Sequence, residues 1–224
     1  MPVDHWLNSL SQSNAKCIAG DLVALGSSSL AYPFLSDAVV ANQIELLSGH
    51  LARVSETCRR LTIAYSLYMR QMDAIQDASV RVICAGACDR PPVGCCNANH
   101  HVILSPSDVL VSRPTNTALH LSHVITGLQR SEHEHRMDQG STPTPGYCSC
   151  LSRSGCTLSL FKSPLCAHYL CVSVQQSLRR EHGAPAAAFI EAMHAVASQT
   201  VISSRDFTDQ NVLNTAVPLF PTRA

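Results

Sequence analysis

Eleven cysteines in 224 residues carry most of the chemistry this chain could do, and nine of them fall in two short stretches. The first stretch is Cys84-x3-Cys88-x6-Cys95-Cys96; the second holds Cys148, Cys150, Cys156, Cys166 and Cys171. Gly86, Pro91, Pro92, Gly94 and Asn97 break regular structure around the first stretch, so its thiols are free to turn toward one ion. Thiolates select zinc or the iron of a cluster over magnesium or calcium, and the spacing alone does not choose between those two. Adjacent Cys95 and Cys96 point in different directions, so one of them would serve a second metal or a bridge. The isolated Cys17 and Cys58 read as small, largely apolar residues.

Imidazole is the other common ligand for such ions. His100 and His101 directly follow the Cys-Cys pair, and His168 sits between Cys166 and Cys171, which makes these three candidate additional ligands. The pairs His120/His123 and His133/His135 read as ordinary helix-surface residues, and Glu132, Glu134 and Asp138 as a solvated helix end. The chain carries no GxSxG elbow, HExxH helix or phosphate-binding glycine loop, so no catalytic machinery is legible.

The order of these features resembles the CxxCxxCC family of zinc- or iron-chelating proteins, over roughly residues 84–171. In that family a cysteine-rich loop ending in Cys-Cys is followed by a short apolar run and a capped helix. Here Cys95-Cys96 precede Val102-Ile103-Leu104-Ser105 and Asp108-Val109. Cys148-Ser149-Cys150-Leu151 resembles the family's Cys-x-Phe-Leu, and Gly155-Cys156-Thr157-Leu158 its Gly-x-Cys-x-Ile segment; Cys166 and Tyr169 resemble its Cys-x-x-Tyr. The first loop is looser than the family's, and Lys162-Ser163 replaces an Arg-Pro pair.

The resemblance implies a metal-ligand role for Cys84, Cys88, Cys95, Cys96, Cys148, Cys156 and Cys166, with Cys150 and Cys171 in reserve. It implies zinc or iron, the iron alone or in an iron–sulfur cluster, as cofactor. The function expected is metal binding for a structural, storage or delivery role. Two alternatives stand beside it: an iron-dependent protein-modifying enzyme or its subunit, and a helical protein-interaction module. A bound ion of this kind contributes on the order of 10 kcal/mol to folding.

Something must hold these loops, and the apolar periodicity says that it is helical. Val40, Ile44, Leu47, Leu51, Val54, Cys58, Leu61, Tyr65, Tyr68, Met72 and Ile75 recur in steps of three and four, predicting one long amphipathic helix over 36–79 opened by Ser36 and Asp37. Its seam needs cover, either from helices of the same chain or, by self-association or a protein partner, from outside through residues 40–75. A short helix is predicted from Ser105-Pro106, and a further one over 115–137. Two more follow, over 165–182 and from Pro185 to about Ser198.

The expected fold is therefore mainly α: a helical bundle with a long amphipathic helix and cysteine-rich metal-binding loops. Residues 1–35 read as a loosely attached lead-in, 36–79 as the long helix, 80–183 as the cysteine-rich metal-binding domain, and 184–224 as a C-terminal helix and tail. Lys and Arg balance Asp and Glu at 16 each, which argues against a nucleic-acid partner. Apolar runs are too short for a membrane span, and charges interrupt the first apolar stretch, so the expectation is a cytoplasmic chain with reduced thiols.

Overall fold

The computed structural model describes residues 3–11, 14–26, 32–81, 96, 116–137, 145–152, 155–198 and 209–222. Cys84, Cys88, Cys95, His100, His101, Asp138 and the helix predicted from Ser105 lie outside these residues. The fold is mainly helical, as expected. The elements are α1 (Val3–Ser9), α2 (Ala15–Gly26), α3 (Asp37–His50), α4 (Glu56–Ser79), α5 (Asn116–Arg136), β1 (Leu151–Ser152), β2 (Gly155–Cys156), α6 (Pro164–His168), α7 (Val172–His182), α8 (Ala184–Ala197) and α9 (Gln210–Ala216).

The helix predicted over 36–79 is two helices. α3 is opened by Ser36, whose Oγ accepts the Val39 N–H at 3.4 Å, and it ends where Leu51 N–H closes onto Leu47 C=O at 2.9 Å. A turn follows, with Val54 N–H on Leu51 C=O at 2.9 Å, and Ser55 in extended conformation starts α4 with Glu56 in its first turn. The break lets α4 fold back on α3. The apolar seam is spent inside the chain: Ile44, Leu47, Tyr65, Tyr68, Met72 and Ile75 are each at most 1 % exposed. Cys58 is buried among them, as its place in the seam predicts.

The segments expected to be a loose lead-in and a tail both contribute to the core. α1 buries Trp6 and Leu7, and the Trp6 ring meets Phe161 edge-on at 5.9 Å. α2 packs on α3. At the other end, α9 is capped by Asp209, which accepts the Val212 N–H at 2.9 Å, and packs Val212 and Leu213 against α8. Gly183, with φ 63°, lets α7 stop and α8 start without a linker. The predicted 165–182 helix is likewise split, because Tyr169 at the end of α6 turns extended. Among the described residues no helix is long and apolar enough to cross a membrane.

The only strands among the described residues are β1 and β2, an antiparallel pair with Leu151 opposite Cys156 and Ser152 opposite Gly155. Gly155 has φ 111°, a conformation that side chains resist, and it turns the chain directly into Cys156.

Candidate metal centre

The hairpin and the segment after it place the second cysteine group. Cys148 N–H donates to the Cys96 carbonyl at 2.9 Å, so the end of the first cluster meets the start of the second. Leu151 N–H then closes a turn onto Cys148 C=O at 3.0 Å, and Thr157 N–H reaches Cys150 C=O at 2.8 Å across the hairpin. These bonds bring Cys148, Cys150 and Cys156 to one end of the small sheet. The Cys148 and Cys150 side chains hydrogen-bond each other.

Cys166 lies on α6, close enough for its thiol to feel those of Cys156 and Cys148, and the strap of chain from Thr157 to Ser163 leads into that helix. The strap makes no sheet, so its backbone groups must find partners elsewhere. Glu132 of α5 supplies them: Oε1 accepts Ser159 N–H at 2.7 Å and Leu160 N–H at 3.1 Å, and Oε2 accepts Phe161 N–H at 3.1 Å. Arg136 Nη1 balances the carboxylate at 3.2 Å and also donates to Ser159 Oγ at 2.7 Å. Burial raises the Glu132 carboxyl, against these donors, which favour its charged form. Gln129 donates to Phe161 C=O, Tyr65 Oη to Lys162 C=O, and Gln76 to Ala167 C=O. Lys162 Nζ sits between Asp73 Oδ1 at 3.1 Å and Gln76 Oε1 at 3.0 Å.

Glu132 was expected on a solvated helix end; it is fully buried. Its position continues the spacing Leu121, Ile125, Leu128 by one more step of four, and that was the signal for an inward-facing residue. Leu119, near the start of the same helix, is 63 % exposed.

The thiols influence one another. The Cys150 thiol is pushed well above its ordinary value by its hydrogen bond with Cys148, by burial and by the neighbouring Cys148 and Cys156 sulfurs. Burial pushes the Cys166 thiol up to about 12, with Cys156 and Cys148 adding to it. Cys156 presents surface at the hairpin edge, yet protein crowding around its sulfur raises that thiol as well. The Lys162 ammonium and a 3.4 Å bond from Leu158 N–H to Cys156 Sγ oppose that rise. Both are devices that stabilise a thiolate, and backbone N–H bonds to sulfur recur around metal-bound cysteines.

Cys171 lies apart, packed partly against the apolar core at the start of α7. Cys17 is not simply apolar: its Sγ is 3.6 Å from Asp21 Oδ2, and burial together with that carboxylate raises its thiol. Among the described residues, no three His, Cys, Asp or Glu side chains are already arranged to hold a metal ion.

The histidines divide by their hydrogen bonds. His168, a candidate ligand by sequence, is fully buried, with Nδ1 2.6 Å from Pro164 C=O and Nε2 2.6 Å from Tyr68 Oη. A carbonyl only accepts, so Nδ1 carries the proton and Nε2 accepts from the tyrosine; no lone pair is left for a metal. His133 Nδ1 meets Thr157 Oγ1 at 2.9 Å, and His135 Nε2 meets His5 Nδ1 at 2.9 Å. His120 and His123 are exposed.

Burial holds the His168 imidazole down at about 4, against 6.5 in an unfolded chain. Between those values the unfolded state binds a proton that the folded state refuses, so stability falls as pH drops from about 6.5 toward 4. The loss is roughly 3 kcal/mol over that window. Urea unfolding at pH 7, 5 and 4 measures it, and His168→Gln is expected to flatten this part of the slope; an unchanged slope in the variant would contradict the assignment.

Compared with known proteins, the chain matches no family model, no curated protein and no solved structure.

Proposed function

We propose that this chain is a metal-binding protein that holds zinc or iron, the iron alone or in an iron–sulfur cluster, through cysteine thiolates. The ligands come from Cys96, Cys148, Cys150, Cys156 and Cys166, joined by Cys84, Cys88 and Cys95 as the resemblance to CxxCxxCC proteins implies. What supports this reading is that the thiols of Cys148, Cys150, Cys156 and Cys166 lie near enough to influence one another's protonation, with the Cys96 backbone tied to Cys148. Cys150, a reserve ligand by sequence alone, becomes a full member because its sulfur contacts that of Cys148.

Protonated thiols cannot donate to a cation, so the apo form rests with its S–H groups bonded to one another. Binding exchanges those protons for the ion. Four thiolates around zinc require sulfurs roughly 3.8 Å apart, given zinc–sulfur bonds of about 2.3 Å. Lys162 and the Leu158 N–H would offset part of the thiolate charge.

The test is elemental analysis of the full chain purified without oxygen, together with sulfur-to-metal absorption. The expected result is bound zinc, or iron with or without sulfide, lost in Cys148→Ser/Cys156→Ser and kept in Cys17→Ser. Wild-type protein that is folded and free of metal even after incubation with zinc or ferrous iron would overturn the reading, as would full metal retention in the double variant.

A further inference from the structure

α7 and α8 are joined at Gly183 and pack on each other, so the start of α7 lies beside the end of α8. Where α6 meets that end of the helix pair there is a cavity of about 290 Å³. His168, Leu170 and Ile190 form its buried floor, and Leu165, Gln175 and Ala197 its half-buried walls. Tyr169 and Val172 stand exposed at the mouth, so a bound molecule would cover apolar surface that water now reaches. An apolar cavity of about 150 Å³ holds benzene, so this one has room for a molecule of roughly ten heavy atoms.

Charge and hydrogen bonding narrow the chemistry of what fits. The described residues that line the cavity include no Asp, Glu, Lys or Arg. The positive end of the α7 dipole and the negative end of the α8 dipole flank it side by side, and together they favour neither sign of charge. On the floor, both nitrogens of His168 are taken, by Pro164 C=O and Tyr68 Oη. At the mouth, His194 Nδ1 and Ser198 Oγ, 3.2 Å apart, hold each other. Gln175 spends its Nε2 on Leu170 C=O at 2.8 Å, which leaves its Oε1 as an acceptor on the wall. A rigid ring loses little conformational freedom on binding, an advantage in a cavity open on one side.

We propose that this cavity is a binding site for a small uncharged aromatic molecule of the indole or phenol class, whose single N–H or O–H donates to Gln175 Oε1 while its ring lies against Leu165, Leu170 and Ile190. The site uses no cysteine and does not depend on the metal-binding reading.

Indole, which carries one N–H, is the probe. Indene has nearly the same shape without the donor, and indole-3-acetate adds a charge. Each is titrated to about 2 mM into the isotope-labelled full-length chain, and amide resonances are followed. Indole is expected to bind saturably with a Kd of about 1 mM or tighter, moving the signals of Leu170, Val172, Gln175 and Ala197. Indene and indole-3-acetate are each expected to bind at least about threefold more weakly. In Gln175→Leu, indene should bind as it does to the wild type, which reports an intact cavity, while the preference for indole over indene disappears.

Absence of saturable indole binding, or shifts confined to residues elsewhere, overturns the proposal. So does indene or indole-3-acetate binding as tightly as indole, or an indole preference that survives Gln175→Leu. Should that variant lose indene as well, the preference measured on the wild-type chain decides.

Discussion

Replacing Glu132 by alanine is expected to lower the unfolding free energy by about 3–5 kcal/mol. The carboxylate accepts the N–H groups of Ser159, Leu160 and Phe161, and it is the counter-charge of Arg136. Removing it leaves three backbone donors in the protein interior with no partner in a segment that has no ladder of its own, and a largely buried guanidinium uncompensated. Glu132→Gln keeps one acceptor oxygen and is expected to cost less. Urea unfolding at neutral pH measures both, and a loss under about 1 kcal/mol for the alanine variant would mean that the strap is held by its apolar contacts instead. The strap joins Cys156 to Cys166, so on the metal-binding reading proposed above zinc affinity should fall with it by about 10–100-fold, as for residues that orient metal ligands.

The second large effect is expected at Asp21. This carboxylate is fully buried where α2, α3 and α4 meet, with Arg59 Nε at 2.6 Å, Arg60 Nε at 3.0 Å and Ser48 Oγ at 2.7 Å. Burial alone would raise its carboxyl, but the hydrogen bonds from Arg59, Ser48 and Arg60 outweigh burial and hold it below its ordinary value. Asp21→Ala strands the Arg59 guanidinium, whose side chain is only 9 % exposed, and is expected to cost about 3–5 kcal/mol. Arg60, more exposed, adds little to that figure. The double variant Asp21→Leu/Arg59→Met removes both buried charges, so most of the loss should return. A double variant no more stable than Asp21→Ala would show that the cost lies in packing and not in the stranded charge.

Both carboxylates illustrate what the sequence discloses and what it withholds. Local periodicity placed the helix over 115–137 within one residue at each end of Asn116–Arg136, and the helix from Pro185 to Ser198 almost as closely. It failed at residues 51–55 because Leu51, Val54 and Cys58 keep the three-four rhythm across the turn. The better guides were Gly49-His50, poor helix formers, and Ser55-Glu56, a helix start.

Asp21 offered no comparable sign. Its arginine and serine partners lie 27 to 39 residues away, and whether a lone charge is buried depends on those partners more than on its neighbours in sequence. The cysteine grouping was legible as a spacing, but the device that positions Cys166 was not, since Glu132 looks polar wherever it is read alone. That Cys148 and Cys150 share one tight turn depends on the backbone hydrogen bond at residues 148–151, which no composition rule supplies.

The single tryptophan stands where these constraints converge. Trp6 meets the ring of Phe161, whose own amide is held by Glu132, and its Nε1 lies 3.4 Å from Ser131 Oγ, one residue before that carboxylate. Its emission should therefore act as a native optical gauge of whether the first helix and the strap are seated together, shifting to longer wavelength when either lifts away. No introduced label is required to watch that joint open during unfolding.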